Sequence, residues 1–391
     1  MLDKAKKQGW RQVKFGDVVR QVKERVDPET SGLERYVAGD HMDTDDLRIR
    51  RWGEIGSGYL GPAFHMRFRP GQVLYGSRRT YLRKVAVADF DGICANTTFV
   101  IEPKDAEELL PEFLPFLMQT DAFNEFSVKN SKGSVNPYIN FSDLARFEFA
   151  LPPLEEQRKA AEALELFDEQ SGAFESLIST ARQLQRALSI DHFDADHPNR
   201  VSVANVGTWH SGGTPARGNP SYWGGSIPWI SPKDMKAAEL GSATETVTPS
   251  GVEAGSKLMP ADTIMIVVRG MILAHTFPVA RTLVPAAFNQ DMKALVVSDS
   301  FRPKYIQYWF EHSAERYLQL VSASSHGTKR LESDKLFSLS VPAVSLDEQD
   351  VFIAQIDALR QACHQAEQRR QDALAVKRAF LNGRLFSEVG E

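Results

Sequence analysis

Two long amphipathic segments dominate the pattern of hydrophobic and polar positions along the chain. In the first, which covers about residues 151–188, apolar side chains recur every seven positions. They are Phe167, Phe174, Ala181 and Leu188, and Leu177 and Leu184 follow two of them by three positions. Heptad spacing of this kind predicts a helix that packs lengthwise against another helix.

A second version of this segment lies 192 positions later in the chain. The counterparts of the four heptad positions are again apolar, namely Leu359, Ala366, Ala373 and Phe380, and the counterpart of Leu184 is Val376. Each segment opens after a proline with acidic residues, which suit the positive end of a helix dipole. Helices of about 35 residues exceed the ~8–20 residues of an ordinary globular helix. We therefore predict a duplicated pair of spacer helices, with two ordinary core helices as the alternative.

The stretches that precede the two helices have mixed strand and helix patterns. In the first stretch, residues 71–92 alternate as in a β-hairpin, and residues 97–101 form a β-branched and aromatic run typical of a central strand. Residues 111–126 place phenylalanines on one helical face, and residues 147–151 read as a last strand. This combination predicts a compact α+β domain.

The second stretch repeats the order of the first at an offset of about 193 residues. The string from Trp229 to Met235 lies where Tyr36 to Met42 lies in the first stretch, and residues 326–336 fall where 132–144 fell. We predict four segments: one domain at 1–150, a spacer helix at 151–193, a second domain at 194–342 and a second spacer helix at 343–391.

Composition describes a soluble globular protein long enough for two or three domains, because 42% of its 391 residues are hydrophobic and 25% are charged. The longest apolar run, residues 263–268, is too short to span a membrane, and the beginning of the chain is charged, so we expect a cytoplasmic protein. The net charge of −5 gives no general attraction to nucleic acid. Any DNA binding must come from local basic surfaces.

Catalytic signals in the chain are weak. There is no Gly-x-x-x-x-Gly-Lys-Ser/Thr loop to bind ATP. The string Asn136-Pro137-Tyr138 lacks one proline of the adenine methyltransferase loop and has no glycine-rich cofactor loop before it. The acidic turn at residues 40–46 has no second ligand cluster for a cation. We expect no active site, no bound metal and no bound cofactor in this chain.

Several strings, in their order along the chain, point to a known family. They are LPPLEEQ at 151–157, GGTPARGNPSYWGG at 212–225 followed by IPWISPKDM, AFNQD at 287–291, and a glycine-centred polar loop shortly before each long helix. Together they resemble the DNA specificity (S) subunit of type I restriction-modification systems. Two departures stand out: the second helix is entered through VPAVSLDEQ, and Arg369 occupies the position of Leu177.

The resemblance implies an α+β protein with two similar target-recognition domains, separated by two long helices packed as an antiparallel coiled coil. Each domain would read half of a bipartite, gapped site on double-stranded DNA. The helices would dock methyltransferase (M) subunits, expected to be two, and restriction (R) subunits would join in the full complex. S-adenosylmethionine, ATP and Mg²⁺ are expected on those partners. The alternatives are a stand-alone DNA methyltransferase or nuclease and a structural adaptor.

Candidate DNA-binding residues follow from local clusters of cations and amides, which suit phosphates and base edges. In the predicted hairpin they are Arg78, Arg79, Tyr81, Arg83 and Lys84, with a solvated charged turn as the alternative. In the polar loop of the first domain they are Lys132, Ser134 and Asn136. In the corresponding loop of the second domain they are His326, Thr328, Lys329 and Arg330, and the other candidates there are Arg217, Tyr222, Lys233 and Arg269.

Overall fold

A computed structural model describes residues 9–323 and 327–384, and it has the mixed α and β composition that the sequence predicts. The described residues form two compact units. The first contains the chain up to Ser176 together with the residues from Glu367 onward, and the second is Leu177–Ala366. Each unit therefore contains one sheet-rich domain and part of each long helix.

The first unit contains an antiparallel sheet, a second mixed sheet and short helices. Its strands are β1 (Arg11–Lys14), β2 (Val19–Val22), β3 (Arg35–Val37), β4 (Gly53–Glu54), β5 (Phe64–Phe68), β6 (Val73–Gly76), β7 (Val85–Val87), β8 (Gly92–Ala95), β9 (Thr98–Pro103) and β10 (Glu148–Leu151). Its helices are α1 (Phe15–Val18), α2 (Leu114–Gln119), α3 (Asp121–Lys129), α4 (Phe141–Leu144) and the beginning of the long α5 (Leu154–Phe193). The sheets have the orders β2-β9-β6-β7 and β4-β3-β8-β5, and β1 pairs with β10.

The predicted hairpin and central strand are confirmed, because β6 pairs with β7 and β9 lies between β2 and β6. The single helix predicted at 111–126 is wrong, since the segment forms the two helices α2 and α3. Thr120 separates them with an extended backbone, φ −64° and ψ 151°. Its side chain accepts a hydrogen bond from the backbone N–H of Phe123 at 3.3 Å, so it acts as the N-cap of α3.

The second unit repeats this plan. Its strands are β11 (Arg200–Ser202), β12 (Gly207–Ser211), β13 (Trp223–Ile230), β14 (Glu239–Leu240), β15 (Glu245–Val247), β16 (Ile264–Val267), β17 (Val279–Thr282), β18 (Ala287–Phe288), β19 (Met292–Val297), β20 (Ser322–Ala323), β21 (Lys329–Arg330) and β22 (Ser340–Pro342). Its helices are α6 (Pro249–Gly255), α7 (Pro303–His312), α8 (Ala314–Gln319), α9 (Ser333–Leu336) and the beginning of the long α10 (Leu346–Arg384). Its sheets have the orders β12-β19-β16-β17-β14 and β15-β13-β18. They repeat the orders β2-β9-β6-β7 and β4-β3-β8 of the first unit, with β14 added to one sheet and, within the described residues, no counterpart of β5 in the other.

The duplication is visible in individual strand pairs. The parallel pair of β3 with β8 places Tyr36 opposite Ile93, and the parallel pair of β13 with β18 places Trp229 opposite Ala287. Each domain is also closed by its first and last strands, β1 with β10 and β11 with β22. The internal repeat predicted from the sequence offset is therefore confirmed in the fold.

A buried glutamine in the first turns of each long helix makes the same three hydrogen bonds in both units. Gln157 Oε1 accepts from the backbone N–H of Leu110 at 2.9 Å, and its Nε2 donates to the carbonyls of Glu108 and Pro152 at 2.9 and 2.8 Å. Gln349, 192 positions later, is equally buried. It accepts from the N–H of residue 302 and donates to the carbonyls of residues 300 and 344, at 2.7, 3.1 and 3.0 Å.

The two long helices pack antiparallel in each unit. In the first unit, Lys377 Nζ lies 2.6 Å from Asp168, and Arg370 Nη2 lies 2.6 Å from Glu175. In the second unit, the Cys363 Sγ lies 3.8 Å from the Ile178 carbonyl, and the ring of Phe352 stacks on His192 with centroids 4.3 Å apart. In each unit, residues further along α5 contact residues nearer the start of α10. This is the antiparallel arrangement that the family resemblance implies.

Most of the predicted seam residues are buried or half-buried. They are Phe167, Phe174, Ala181, Leu188, Leu359, Ala366, Ala373 and Phe380. The prediction was wrong for Leu177, Leu184 and Val376, whose exposed fractions are 49, 48 and 53%. For Leu177 and Val376 the buried position lies one residue later, at Ile178 and Lys377. Residues three and four positions apart lie on the same face of a helix. In this seam the buried residue comes four positions after Phe174 and Ala373, and not three.

Gln157→Leu tests the buried amide contacts. The substitution leaves one buried N–H and two carbonyls without partners, so we expect the free energy of unfolding to fall by about 1–3 kcal/mol or more. Urea denaturation followed by circular dichroism measures the change. Gln183 is exposed on the same helix, so Gln183→Leu should stay within about 0.5 kcal/mol of the native value. Equal effects of the two substitutions would contradict the assignment.

Candidate nucleic-acid interface

The hairpin tip of the first domain, residues 77–84 between β6 and β7, has a constrained backbone. A 3₁₀ turn at Thr80–Leu82 is flanked by Arg79 and Arg83, whose φ angles are 49° and 50°. Non-glycine residues rarely adopt this left-handed conformation, so surrounding contacts must hold it. The tip is thus a defined structure and not a generic charged turn.

The polar loop at residues 131–138 packs directly against this tip. The backbone N–H of Arg79 donates to the Pro137 carbonyl at 2.6 Å, and the hydroxyls of Thr80 and Ser131 lie 3.0 Å apart. Arg78 also forms a backbone bridge with Tyr138. Two clusters of candidate residues that are far apart in the sequence therefore form one surface, which we call the first tip-and-loop surface.

Several candidates are exposed on this surface, namely Arg78, Arg79, Tyr81, Lys132, Ser134 and Asn136. Within the described residues, no carboxylate lies within 4 Å of the Arg78 or Arg79 guanidinium. Lys132 is paired with Asp143 at 2.7 Å, and this hydrogen bond lowers the pKa of the Asp143 carboxyl. Arg78 and Arg79 are accordingly free to meet phosphates or base edges.

Two predicted contacts of the hairpin have other partners. The Arg83 side chain is only 14% exposed and lies between Asp45 at 2.6 Å and Asp121 at 2.9 Å. The Lys84 ammonium donates to the Gly39 carbonyl. Arg83 is therefore a structural residue at the base of the tip, which corrects its prediction as a DNA contact. The Lys84 ammonium already has a hydrogen-bond partner within the domain.

The second domain builds an equivalent surface from its tip at residues 268–274 and its loop at residues 327–331. The N–H of Gly270 donates to the Lys329 carbonyl at 3.0 Å, and Arg269 forms a backbone bridge with Arg330. These contacts match those of Arg79 and Arg78 in the first domain. We call this the second tip-and-loop surface.

The cations of the second surface are less free than those of the first. Arg269 and Arg330 are exposed, but Arg269 lies 3.9 Å from Asp291 and Arg330 lies 3.1 Å from Glu332. Lys329 and Thr328 are half-buried. His326 lies outside the described residues.

The remaining candidates of the second domain differ in their surroundings. The Arg217 guanidinium pairs with Glu245 and lies over the rings of Trp223 and Trp229, 4.0 and 4.8 Å from their centroids. Its position is therefore fixed and its charge is neutralised. Lys233 is exposed and Tyr222 is half-buried.

The structure adds three cationic or ring-nitrogen groups that sequence reasoning missed. Lys293 is opposite Ser211 at the sheet end that carries the second tip, and its Nζ donates to the Ser211 hydroxyl at 2.9 Å. Lys257 Nζ lies 3.2 Å from His210 Nδ1. Burial and then the Lys257 charge lower the pKa of His210. These groups come from three separate segments, so no local sequence signal could have grouped them.

Carboxylates of the acidic turn at residues 40–46 form ion pairs with arginines. Asp43 pairs with Arg51, and Asp46 pairs with Arg50 at 2.6 Å. Across the described residues, no group of three or more His, Cys, Asp or Glu side chains is placed to hold a metal ion. Nor is any helix of the described chain long and apolar enough to cross a membrane.

Two like domains therefore each carry a basic tip-and-loop surface, and comparison with known proteins identifies their kind. The Methylase_S family, described as the type I restriction modification DNA specificity domain, matches residues 58–178 and 199–375, well over half of the chain. The chain belongs to this family. The two matched ranges correspond to the two copies of the domain and helix.

Named relatives agree with this assignment. The chain is 35% identical over 158 residues to the type I restriction enzyme EcoR124I/EcoR124II specificity subunit of Escherichia coli, covering 40% of this chain and 39% of that protein. It is 30% identical over 140 residues to the EcoDI specificity subunit of Escherichia coli, covering 34% and 30%. These matches span well under half the length of the relatives.

Solved structures share the fold over nearly the whole chain. One comes from a type I R-M system studied for complex assembly and conformational transition, with a TM-score of 0.62, 21% identity and coverage of 98% of this chain and 99% of that chain. Another is the type I restriction-modification system S subunit from M. genitalium, with a TM-score of 0.59, 15% identity and coverage of 100% and 99%. At these identities the likeness concerns the fold.

Arg79→Gly separates the backbone role of this residue from its charge. Glycine adopts φ near 49° without strain, so we expect the free energy of unfolding to stay unchanged or rise by up to about 1 kcal/mol. Loss of one phosphate contact should reduce DNA affinity and make the slope of log K against log salt shallower by about 0.9. Chemical denaturation and fluorescence anisotropy at several salt concentrations measure the two effects. A marked loss of stability, or an unchanged salt slope, would contradict this role.

Proposed function

We propose that this chain is the DNA sequence-specificity subunit of a type I restriction-modification complex. Each tip-and-loop surface reads one half of a bipartite, gapped DNA site. The observation that carries the proposal is that the same surface is built twice in one chain, with Arg78 and Arg269 at matching positions. The subunit itself is non-catalytic and directs a methyltransferase, and in the full complex a nuclease and translocase, to the site.

Local charge supports DNA binding at these surfaces. The chain as a whole has a net charge of −5, so a general electrostatic attraction to DNA is absent. An exposed arginine without a carboxylate partner can neutralise a phosphate or donate two hydrogen bonds to guanine O6 and N7. Arg78 meets this condition, and Arg269 has a carboxylate only at the outer limit of an ion pair.

The antiparallel helix pair provides a docking surface for the proposed partners. Leu177 and Leu184 are about half exposed and lie seven residues apart on one face of α5. Exposed apolar side chains on a rigid helix are typical of a protein-protein interface. We assign this face to a methyltransferase (M) subunit, with two M subunits and additional restriction (R) subunits in the complex. S-adenosylmethionine, ATP and Mg²⁺ would be bound by those partners.

Selection from a randomised double-stranded DNA library tests the recognition of half-sites. The complex with the M subunit should enrich a gapped motif. Arg78→Met should relax preference in one half of the motif and Arg269→Met in the other, each by about five- to hundredfold at the position read. Arg158, an exposed arginine on α5, gives the control Arg158→Met, which should leave both halves intact.

Three outcomes would refute the proposal. An ungapped motif, or relaxation of both halves by one substitution, contradicts independent recognition by two domains. Absence of any salt-dependent DNA affinity would favour the structural adaptor, whose domains bind no DNA. Methyl transfer by this chain alone, without an M subunit, would favour a stand-alone methyltransferase.

The double substitution Leu177→Ala and Leu184→Ala tests the docking face. Because both side chains are about half exposed, we expect a small change in unfolding free energy, about 1 kcal/mol or less. Affinity for the M subunit, measured by isothermal titration calorimetry, should fall at least tenfold. Ile178→Ala is the opposite control, since it removes a buried side chain and should cost about 2–5 kcal/mol of stability. Unchanged affinity of the double variant would place the partner elsewhere.

A further inference from the structure

Asp121, the first residue of α3, joins the hairpin tip of the first domain to the end of α10. Its Oδ1 accepts from Arg83 Nη1 at 2.9 Å and from Arg378 Nη2 at 3.0 Å. Its Oδ2 accepts from Asn382 Nδ2 at 2.9 Å, and its backbone N–H donates to Asn382 Oδ1 at 2.8 Å. We call these four residues the Asp121 node, and all of them lie in the first unit.

Arg83 is the residue through which the node reaches the tip. It ends the 3₁₀ turn, with its N–H donating to the Thr80 carbonyl at 2.9 Å. Its left-handed backbone is unfavourable for a side chain with a Cβ, so the conformation needs support from elsewhere. That support comes from the side chain, which is held by Asp45, by Asp121 and by the Gln119 carbonyl.

The same tip presents the candidate reading groups. Arg78, Arg79 and Tyr81 lie within five residues of Arg83, and all three are exposed. Discrimination between bases requires a side chain to be held in a narrow range of positions, because an arginine-guanine pair has two directional hydrogen bonds. The conformation of the turn therefore decides whether these groups can read bases.

We propose that the Asp121 node is a positioning element for sequence recognition by the first domain. It fixes the backbone of the tip through Arg83. Through Arg378 and Asn382 it connects the tip to α10. This inference rests on the proposed function and assigns specificity-determining roles to residues that do not touch DNA. The hydrogen bond from Arg378 to Asp121 is also the main cause of the raised pKa of Arg378.

Among its described residues, the second domain has no such charged arrangement. Its α8 begins at Ala314, where α3 begins at Asp121, and the residue that ends its 3₁₀ turn is His275, with φ −130°. Glycine supplies the unusual backbone conformation there, since Gly270 has φ 140°. The second tip therefore needs no equivalent of Arg83. It can serve as the internal control in an experiment on the first tip.

The experiment combines hydrogen exchange with DNA selection on the full chain in complex with its M subunit. In Asp121→Ala, the amides of residues 77–84 should exchange at least tenfold faster, while those of residues 268–275 stay unchanged. Discrimination in the half-site read by the first domain should fall about tenfold, and the other half should keep its preference. Ala314→Ser is the matched control in the second domain and should change neither readout.

Arg83→Gly provides a second route, because glycine accepts the left-handed backbone and the variant should fold even if Asp121→Ala does not. It removes the anchor, so it should produce the same faster exchange and the same loss in one half-site. Unchanged exchange at residues 77–84 in both variants overturns the inference, as does an equal loss of discrimination in both halves. If the native complex selects no gapped motif, the proposed function fails, whereas the exchange result still tests the node.

Discussion

A buried glutamine amide in the first turns of each long helix joins three parts of its unit: the helix itself, the segment before a domain helix and the residues after the last strand. The Gln157 side chain bonds to the segment that leads into α2 and to Pro152, the residue after the last strand. Gln349 bonds to the segment that leads into α7 and to a residue shortly after β22. A buried amide is stable only when its donors and acceptor are all satisfied, and its partners would lose more by its removal than the bonds contribute. The start of the helix, the last strand and the core are therefore fixed relative to one another within each unit.

The helix seam adds a second constraint, because it carries charges as well as apolar side chains. Lys377 is buried and lies 2.6 Å from Asp168, and burial raises the pKa of Asp168 in spite of this cation. A buried ion pair of this kind contributes little net stability, since desolvation offsets the attraction. In the second unit, Arg360 of α10 pairs with Glu311 of α7 and lies 4.3 Å from the ring centroid of Tyr308. The polar contacts of α10 therefore differ between the two units.

Periodicity and a constant offset were sufficient to predict the two long helices, the duplication and the hairpin. They were not sufficient for finer placement. The residues three and four positions after Phe174 lie on the same helical face. The sequence pattern therefore could not decide whether Leu177 or Ile178 is the buried one. The break at Thr120 could not be predicted either, because a threonine within an apolar helical pattern becomes an N-cap only when its backbone is extended.

The ion pairs of the candidate interface could not be predicted from the sequence either. Five neighbouring residues of the hairpin looked equivalent in sequence, yet the structure divides them into presented and anchored groups. Arg83 is anchored by two carboxylates, each 38 positions away in the chain, and no local pattern indicates such partners. In a protein with an overall negative charge, this division is decisive, because only cations without a carboxylate partner create an attractive surface. Anchoring one arginine is therefore what allows its neighbours to be presented in a fixed geometry.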